Sequence, residues 1–407
     1  MGDMPVKILL CGELYSPNLG DGVIFNSVEF LVKKIVPGCE VYHVDLSGRK
    51  PGKQVAQRAT AKESKVFALN KFSLFRRFRV VSSWVFGSKR EVMEQYEASL
   101  RRKPTLTIFT GGHLLIDNDL NFPIKLYKFL GLLGRAGVPV AFNSCGASSK
   151  WSAAANILMR KAFYKCDVRR VSLRDSASVA NFSRNAFWYS RQNICISADP
   201  AVWAAEAYGI KCKDHRIKPG RIGICITNPL TLLKHAQKPE YFHKSSLVSF
   251  YTELLGALVR SGKLVSVFTN GDPEDEKFAD EVLSACKGNI RAELDRCKPY
   301  ESPRDLVFGI SEFSAIIAHR LHANIVAYSL GIPSVGLVWD EKVKSFGVES
   351  GRSSYYIEPE DLSVIHVLEK LDVAMKERFP DELLDSLKEK AINDLDAALK
   401  CLMAPNR

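Results

Sequence analysis

Between residues 49 and 103 the chain has no aspartate and only 4 glutamates, against 15 Lys and Arg. That stretch alone carries +11 of the whole-chain +12, so the rest of the 407 residues is close to neutral. Other shortages exclude whole classes. None of the ten cysteines (11, 39, 145, 166, 195, 212, 225, 286, 297 and 401) forms a CxxC pair, which argues against a zinc ribbon, a dithiol redox motif or a disulfide framework. A reducing cytoplasm is the expected compartment. No apolar run reaches the roughly 18 to 20 residues that cross a bilayer. The opening "MGDMPVKILLCGE" passes straight into a strand, without the layout of a signal peptide. Gly2 invites a myristoylation reading, but Val6 stands where that pattern needs Ser or Thr. At 46% hydrophobic and 25% charged residues, the composition is that of a globular protein long enough for two domains.

The centre of the basic stretch, "FALNKFSLFRRFRVVSSWVFGSKR", interleaves Phe72, Phe75, Phe78 and Trp84 with Lys71, Arg76, Arg77 and Arg79. It reads either as a basic helix covering one edge of a domain or as a surface for anionic lipid headgroups or an anionic lipid-linked glycan. No helix-turn-helix, RRM or zinc-finger pattern accompanies it, and no nucleic-acid partner is expected.

Along the chain, strands and helices alternate. "VKILLCGE", "CEVYHVDL", "TLTIFTGG", "PVAFNSCGA" and "VRRVSLRD" read as strands, separated by helical patterns such as "DGVIFNSVEFLVKKIV". After the polar stretch at about 215–220 the alternation restarts with "RIGICITN" and "LVSVFTNG". The expected architecture is α/β: two Rossmann-like domains, 1–215 and 216–407, in a GT-B-like arrangement with a helical tail from about Pro380 to Leu402.

In such sheets ligands bind beyond the C-terminal ends of the strands, and four polar clusters fall there. In "SPNLGDGVIF", Asn18, Gly20 and Asp21 separate the first strand from the first helix. Asp21 is either the cap of that helix or a group that takes a proton from an acceptor hydroxyl. In "FTGGHLLIDN", Gly111 and Gly112 permit close backbone approach, and His113 is a site residue or a turn-packing one. In "VSLRDSAS", Arg174 is a fork for a carboxylate or phosphate, or simply the neighbour of Asp175. The fourth cluster, "AIIAHRLHANIVAYSLGIPSVGLVWDEK", ends an apolar strand in His319, Arg320 and His322 at the start of a helix. His319 and His322 have no third ligand nearby and Arg320 opposes a cation, so no metal is expected. Arg320, the helix N-terminus and Lys342 instead suit an anion. A phosphate beside His322 favours its protonated, acid form. The role of His319 stays open.

Taken together, "NLGDGVI", "TGGHLLID", "SLRD", "ADPAV" and above all "HRLHANIVAYSLGIPSVGLVWDEKVKSF" resemble the polysaccharide pyruvyl transferase family, in the family's order and from residue 6 to about 347. Two departures stand out. His113 replaces a third glycine, and "WDEK" stands where the family often has Tyr-Asp. The resemblance implies transfer of the enolpyruvyl-derived unit of phosphoenolpyruvate to two hydroxyls of one sugar, giving a cyclic pyruvate ketal without a metal or redox cofactor. Arg174, Arg320 and Lys342 would bind the donor's anionic groups. His322 would be the general acid, and Asp21 would bind or deprotonate the acceptor. The basic segment suggests a lipid-linked acceptor and peripheral contact with an anionic membrane at its inner face. The alternatives are a GT-B-type sugar-nucleotide glycosyltransferase and a carbohydrate- or lipid-binding protein on a decayed enzyme scaffold. The joint presence of Asp21, Arg174, His322 and Lys342 argues against the second of these.

Overall fold

The computed structural model describes residues 5–50, 73–85, 89–210, 220–377 and 381–404. Most of the expected linker near 215–220 lies outside these, as do Lys71 and Phe72 of the basic segment and Pro380 at the start of the expected tail. The chain divides into two compact units. The first comprises the chain up to Ser16, Ile24–Pro200 and Glu389 onward; the second comprises Pro17–Val23 and Ala201–Lys388.

The first unit is built on six parallel strands: β1 (Lys7–Gly12), β2 (Glu40–Asp45), β3 (Leu106–Thr110), β4 (Val140–Cys145), β5 (Val168–Leu173) and β6 (Ile194–Ile196). Their order in the sheet is β2-β1-β3-β4-β5-β6. The intervening helices are α1 (Leu19–Ile35), α2 (Ser73–Val85), α3 (Arg90–Arg101), α4 (Asn121–Arg135), α5 (Ala153–Tyr164) and α6 (Ser176–Asn185). Every residue of β3 and β4 is buried, as expected of parallel strands covered by helices. Phe109, Phe142 and Phe163 stack through this core at 4.9 and 5.3 Å. Helix α6 is capped by Asp175, whose carboxylate accepts from the Ser178 N–H at 2.6 Å.

The second unit repeats the plan with β7 (Arg221–Cys225), β8 (Leu264–Phe268), β9 (Leu294–Arg296), β10 (Ala315–Ala318), β11 (Ser334–Leu337) and β12 (Tyr356–Ile357). Their order is β12-β11-β10-β7-β8-β9, all parallel. The helices are α7 (Ala204–Ala207), α8 (Pro229–His235), α9 (Lys244–Arg260), α10 (Pro273–Ala285), α11 (Gly288–Glu293), α12 (Pro303–Ser311), α13 (Leu321–Ser329), α14 (Glu341–Glu349) and α15 (Val364–Lys376). Ser302 and Asp305 form a reciprocal capping box ahead of α12, with Pro303 in its first turn. The chain first runs outward from β7 to β9 and then returns to the other side of β7 with β10. The topological switch point therefore lies between β7 and β10, where such sheets bind ligands.

A last helix, α16 (Asp381–Met403), provides the helical tail. Its Asp394, in the first unit, accepts from Asn143 Nδ2 at 3.0 Å and from Arg170 Nη2 at 2.7 Å. The α/β class expected from the sequence, two Rossmann-like units with a helical tail, is the class found.

Candidate active site

Strand β10 ends at Ala318, in register with Cys225 of β7, so His319 and Arg320 leave the sheet at the switch point. Arg320 is the N-cap of α13, and its side chain caps none of the first-turn N–H groups of that helix. From His322 to Ser329 every residue of α13 is buried, which is why "ANIVAYS" carries no charge. Gly331, at φ +70°, follows the helix where a left-handed residue is needed.

In sequence "NLGDG" is far from this corner, but the structure brings it there. Residues 17–23 belong to the second unit. The Leu19 N–H donates to the Asn270 carbonyl at 2.9 Å. Gly271, at φ +90°, leaves no room for a side chain: a Cβ there would lie 2.7 Å from Leu19 Cγ. Gly20 meets His322 in the same way, since a Cβ on Gly20 would stand 2.5 Å from both Cγ and Nδ1 of that imidazole. Helix α1 begins at Leu19, so Asp21 is in its first turn rather than at its cap, and the Asp21 N–H donates to the Asn18 carbonyl at 3.1 Å. Asn18 Oδ1 and Asn270 Nδ2 are both buried without a hydrogen-bond partner.

The two imidazoles of "HRLH" are different groups. His319 is fully buried, its Nδ1 2.8 Å from the Tyr251 hydroxyl and its ring edge-on to Phe242. Trp339 Nε1 donates to the His319 carbonyl at 2.7 Å. Burial, reinforced by the Arg320 charge, pushes the His319 imidazole down to about 3, so it is neutral. A histidine depressed in the folded state contributes stability above its unfolded value near 6.5 and loses it as pH falls toward the folded one. The stability advantage of the native protein over His319→Gln is therefore expected to shrink by about 3 kcal/mol between pH 7 and pH 4. Urea denaturation at the two pH values measures it; a constant difference would mean that His319 is not held neutral.

Each expected cation has a carboxylate beside it. Arg320 donates from Nε to Asp275 Oδ2 at 2.8 Å, with Nη2 2.5 Å from the same carboxylate and 3.8 Å from Asp272. Asp275 is fully buried, and burial raises its carboxyl to about 6 although Arg320 pulls it down. Its other oxygen accepts from the Asn228 N–H at 2.8 Å, tying the end of β7 to the start of α13. Arg320 is thus first a strut of this corner. Lys342 Nζ lies 2.8 Å from Asp340 and 5.4 Å from the centre of the Trp339 ring, and it remains partly exposed.

The remaining expected residues lie in the first unit. Gly111 and Gly112, at φ +89° and +52°, turn the chain after β3, and the Gly112 carbonyl accepts from the Gly146 N–H at 2.9 Å. His113 packs on Gly146, where a Cβ would stand 2.8 Å from the His113 Nε2. Arg174 Nε is 3.3 Å from Asp175, and its Nη1 is 3.6 Å from Asp199.

A partly buried network past β1 and β2 in this unit, centred on the buried Lys125, left no signal in the sequence. Lys125 Nζ donates to Ser47 Oγ at 2.5 Å and lies 3.4 Å from Glu13, which also pairs with Arg49. Burial lowers Lys125; it also opposes ionisation of Glu13, but Lys125 and Arg49 hold that carboxyl below its ordinary range. In the second unit the residues not foreseen are Asp275, Asn270, Tyr251 and Trp339. The "TNGD" turn at the end of β8 was the one available signal for Asn270; Asp275 lies three residues past it, inside α10. Among the described residues no three His, Cys, Asp or Glu side chains gather as a metal site.

The fold and this corner define an α/β protein of two tandem Rossmann-like units, GT-B-like in class. Solved structures share the fold along nearly the whole length. The UDP-GlcNAc 2-epimerase of Methanocaldococcus jannaschii, in complex with UDP-GlcNAc and UDP, is 12% identical, with a TM-score of 0.55 over 98% of this chain and 99% of that one. A putative UDP-N-acetylglucosamine 2-epimerase from Listeria monocytogenes is 10% identical, with a TM-score of 0.55 over 98% and 96%. The N-terminal domain of trehalose-6-phosphate phosphatase from Candida albicans is 8% identical, with a TM-score of 0.54 over 99% and 97%. At these identities the likeness shows the fold alone. No curated protein matches. The family profile of polysaccharide pyruvyl transferase matches residues 18–341, and the chain belongs to that family. It is accordingly a transferase of polysaccharide biosynthesis.

Proposed function

We propose that the protein uses phosphoenolpyruvate to form a pyruvate ketal on a sugar of a polysaccharide or glycan precursor, with the donor held by the second unit. The observation that carries this reading is the packing of Gly20, the residue before Asp21, on His322 at the switch point. The start of α13, without a side-chain cap, the unpaired Asn270 Nδ2 and the positive charge of Lys342 suit an anionic donor. Arg320, held by Asp275, supplies long-range charge and rigidity rather than an open fork.

In this scheme His322 gives a proton to the methylene carbon, which becomes a methyl group and leaves an oxocarbenium-like centre at the neighbouring carbon. One sugar hydroxyl attacks that centre and passes its proton to Asp21. The bond from that carbon to the phosphate oxygen then breaks, restoring the oxocarbenium-like centre; a second hydroxyl of the same sugar attacks it to close the ketal, and its proton leaves with the phosphate as hydrogen phosphate. Arg174, with the Gly111–His113 turn, is assigned to the substrate side of the first unit. No cofactor enters the scheme. The acceptor we favour is lipid-linked and met at an anionic membrane. Among the described residues, no helix is long and apolar enough to cross one.

Thermal shift tests the donor. Phosphoenolpyruvate is expected to raise the melting temperature, and a panel of nucleotide sugars to leave it unchanged. Stabilisation by UDP-sugars with none by phosphoenolpyruvate would instead favour a GT-B-type glycosyltransferase. Mass spectrometry of glycan acceptors after incubation with phosphoenolpyruvate then reads the added pyruvate directly.

A further inference from the structure

Helices α2 and α5 of the first unit share a buried seam. Val80 and Trp84 of α2 and Leu158 of α5 pack around Leu120, Ile124 and Ala155. Away from the seam both helices carry large apolar groups in water: Phe78 is 69% exposed, Tyr164 67% and Ile157 54%. Large apolar groups gathered on one surface, unlike groups scattered singly, mark an interaction site. On α5 the spacing is regular. Ile157, Arg160, Lys161 and Tyr164 recur at i, i+3, i+4 and i+7, which is one stripe of a helix.

The charge on this face has one sign. Neither α2 nor α5 contains an Asp or Glu. Arg76 and Arg77 turn inward to Asp119, at 2.7 Å, and Asp117, at 3.7 Å. Arg79, Arg160 and Lys161 are exposed beside the apolar groups. Arg160 lies 5.5 Å from the centre of the Tyr164 ring, so the basic and aromatic groups of the stripe are in contact.

We propose that this face of α2 and α5 docks on an anionic lipid surface, Phe78, Ile157 and Tyr164 entering the headgroup–acyl boundary and Arg79, Arg160 and Lys161 meeting the phosphates. Protruding apolar groups flanked by cations match that boundary in both hydrophobicity and charge. A second copy of the chain fits poorly, because two such faces would set basic groups against basic groups. The surface locates the membrane contact suggested above, and it stands apart from the donor chemistry because none of its residues belongs to the candidate active site.

Vesicle flotation of the full chain is the test. Phosphatidylcholine alone is compared with phosphatidylcholine mixed with phosphatidylglycerol, each at low and high salt. The native protein is expected to float with the anionic vesicles at low salt, to lose much of that binding at high salt, and to ignore the neutral vesicles. The double variant Phe78→Asp/Ile157→Asp and the charge variant Arg160→Glu/Lys161→Glu are each expected to lower partitioning at least about ten-fold. Ile365→Asp, at an equally exposed apolar residue on α15 of the second unit, should leave it unchanged. All three replace exposed residues, so equal melting temperatures serve as the folding control. No flotation at low salt overturns the proposal, as does flotation that both variants retain. Native protein whose dimerisation, rather than flotation, is lost in Phe78→Asp/Ile157→Asp overturns it in favour of a self-association face. Conversion of a soluble acceptor should be equal in all variants, so a failed donor reading would be recognised separately.

Discussion

Replacing Gly20 with alanine is expected to cost turnover about 100-fold and the fold about 1 to 3 kcal/mol. The added methyl group would stand 2.5 Å from Cγ and Nδ1 of His322, inside contact distance of a residue that is itself only 7% exposed. Neither side can yield easily. The start of α1 is held by the Leu19 N–H on the Asn270 carbonyl, and Gly271 closes against the Leu19 side chain. His322 rides on α13, every following residue of which is buried. Either the imidazole turns away from the substrate or the first turn of α1 lifts off. Gly131→Ala is the control, because a Cβ there meets nothing nearer than Lys165 Cδ at 3.8 Å. Steady-state kinetics with phosphoenolpyruvate and an acceptor, beside a denaturation curve, measures both effects. A Gly20→Ala protein with native rate and native stability would remove the link between the two motifs.

The second large effect is expected at His322 itself. His322→Gln keeps the size of a buried side chain but cannot deliver a proton, so phosphate release should fall by roughly 10²- to 10⁴-fold. The Gly20 contact covers the Cβ–Cγ–Nδ1 edge, and Nε2, the ring atom across from it, is the donor we assign. Binding of phosphoenolpyruvate by thermal shift should survive in this variant, which separates proton delivery from donor affinity. An unchanged rate of phosphate release would show that His322 is not the acid.

Strand β10, the start of α13 after Arg320 and the break at Gly331 are legible in the sequence directly, because apolar period, turn chemistry and helix stops are local. Spacing does not tell His319 and His322 apart. What separates them is the Tyr251 hydroxyl on one, 68 residues away, and the backbone of Gly20 on the other, most of the chain's length away. Asp275 reads as one more acid in the first turn of a solvated helix, and its burial against Arg320 depends on the β7–β8 and β7–β10 pairing. Glu13 and Lys125 are invisible for the same reason, since the fold and not the sequence brings them together.

The sequence by itself determined the class, two α/β units with polar groups beyond their strand ends, and the order of the family motifs. Those features are written in local hydrophobic period and turn residues. Only the tertiary structure decided that residues 17–23 belong with the second unit, that Gly20 is glycine because an imidazole occupies the space of its side chain, and that His319 is a neutral core residue. The physical reason is that each of these rests on excluded volume or desolvation between segments far apart in the chain, which no local pattern records.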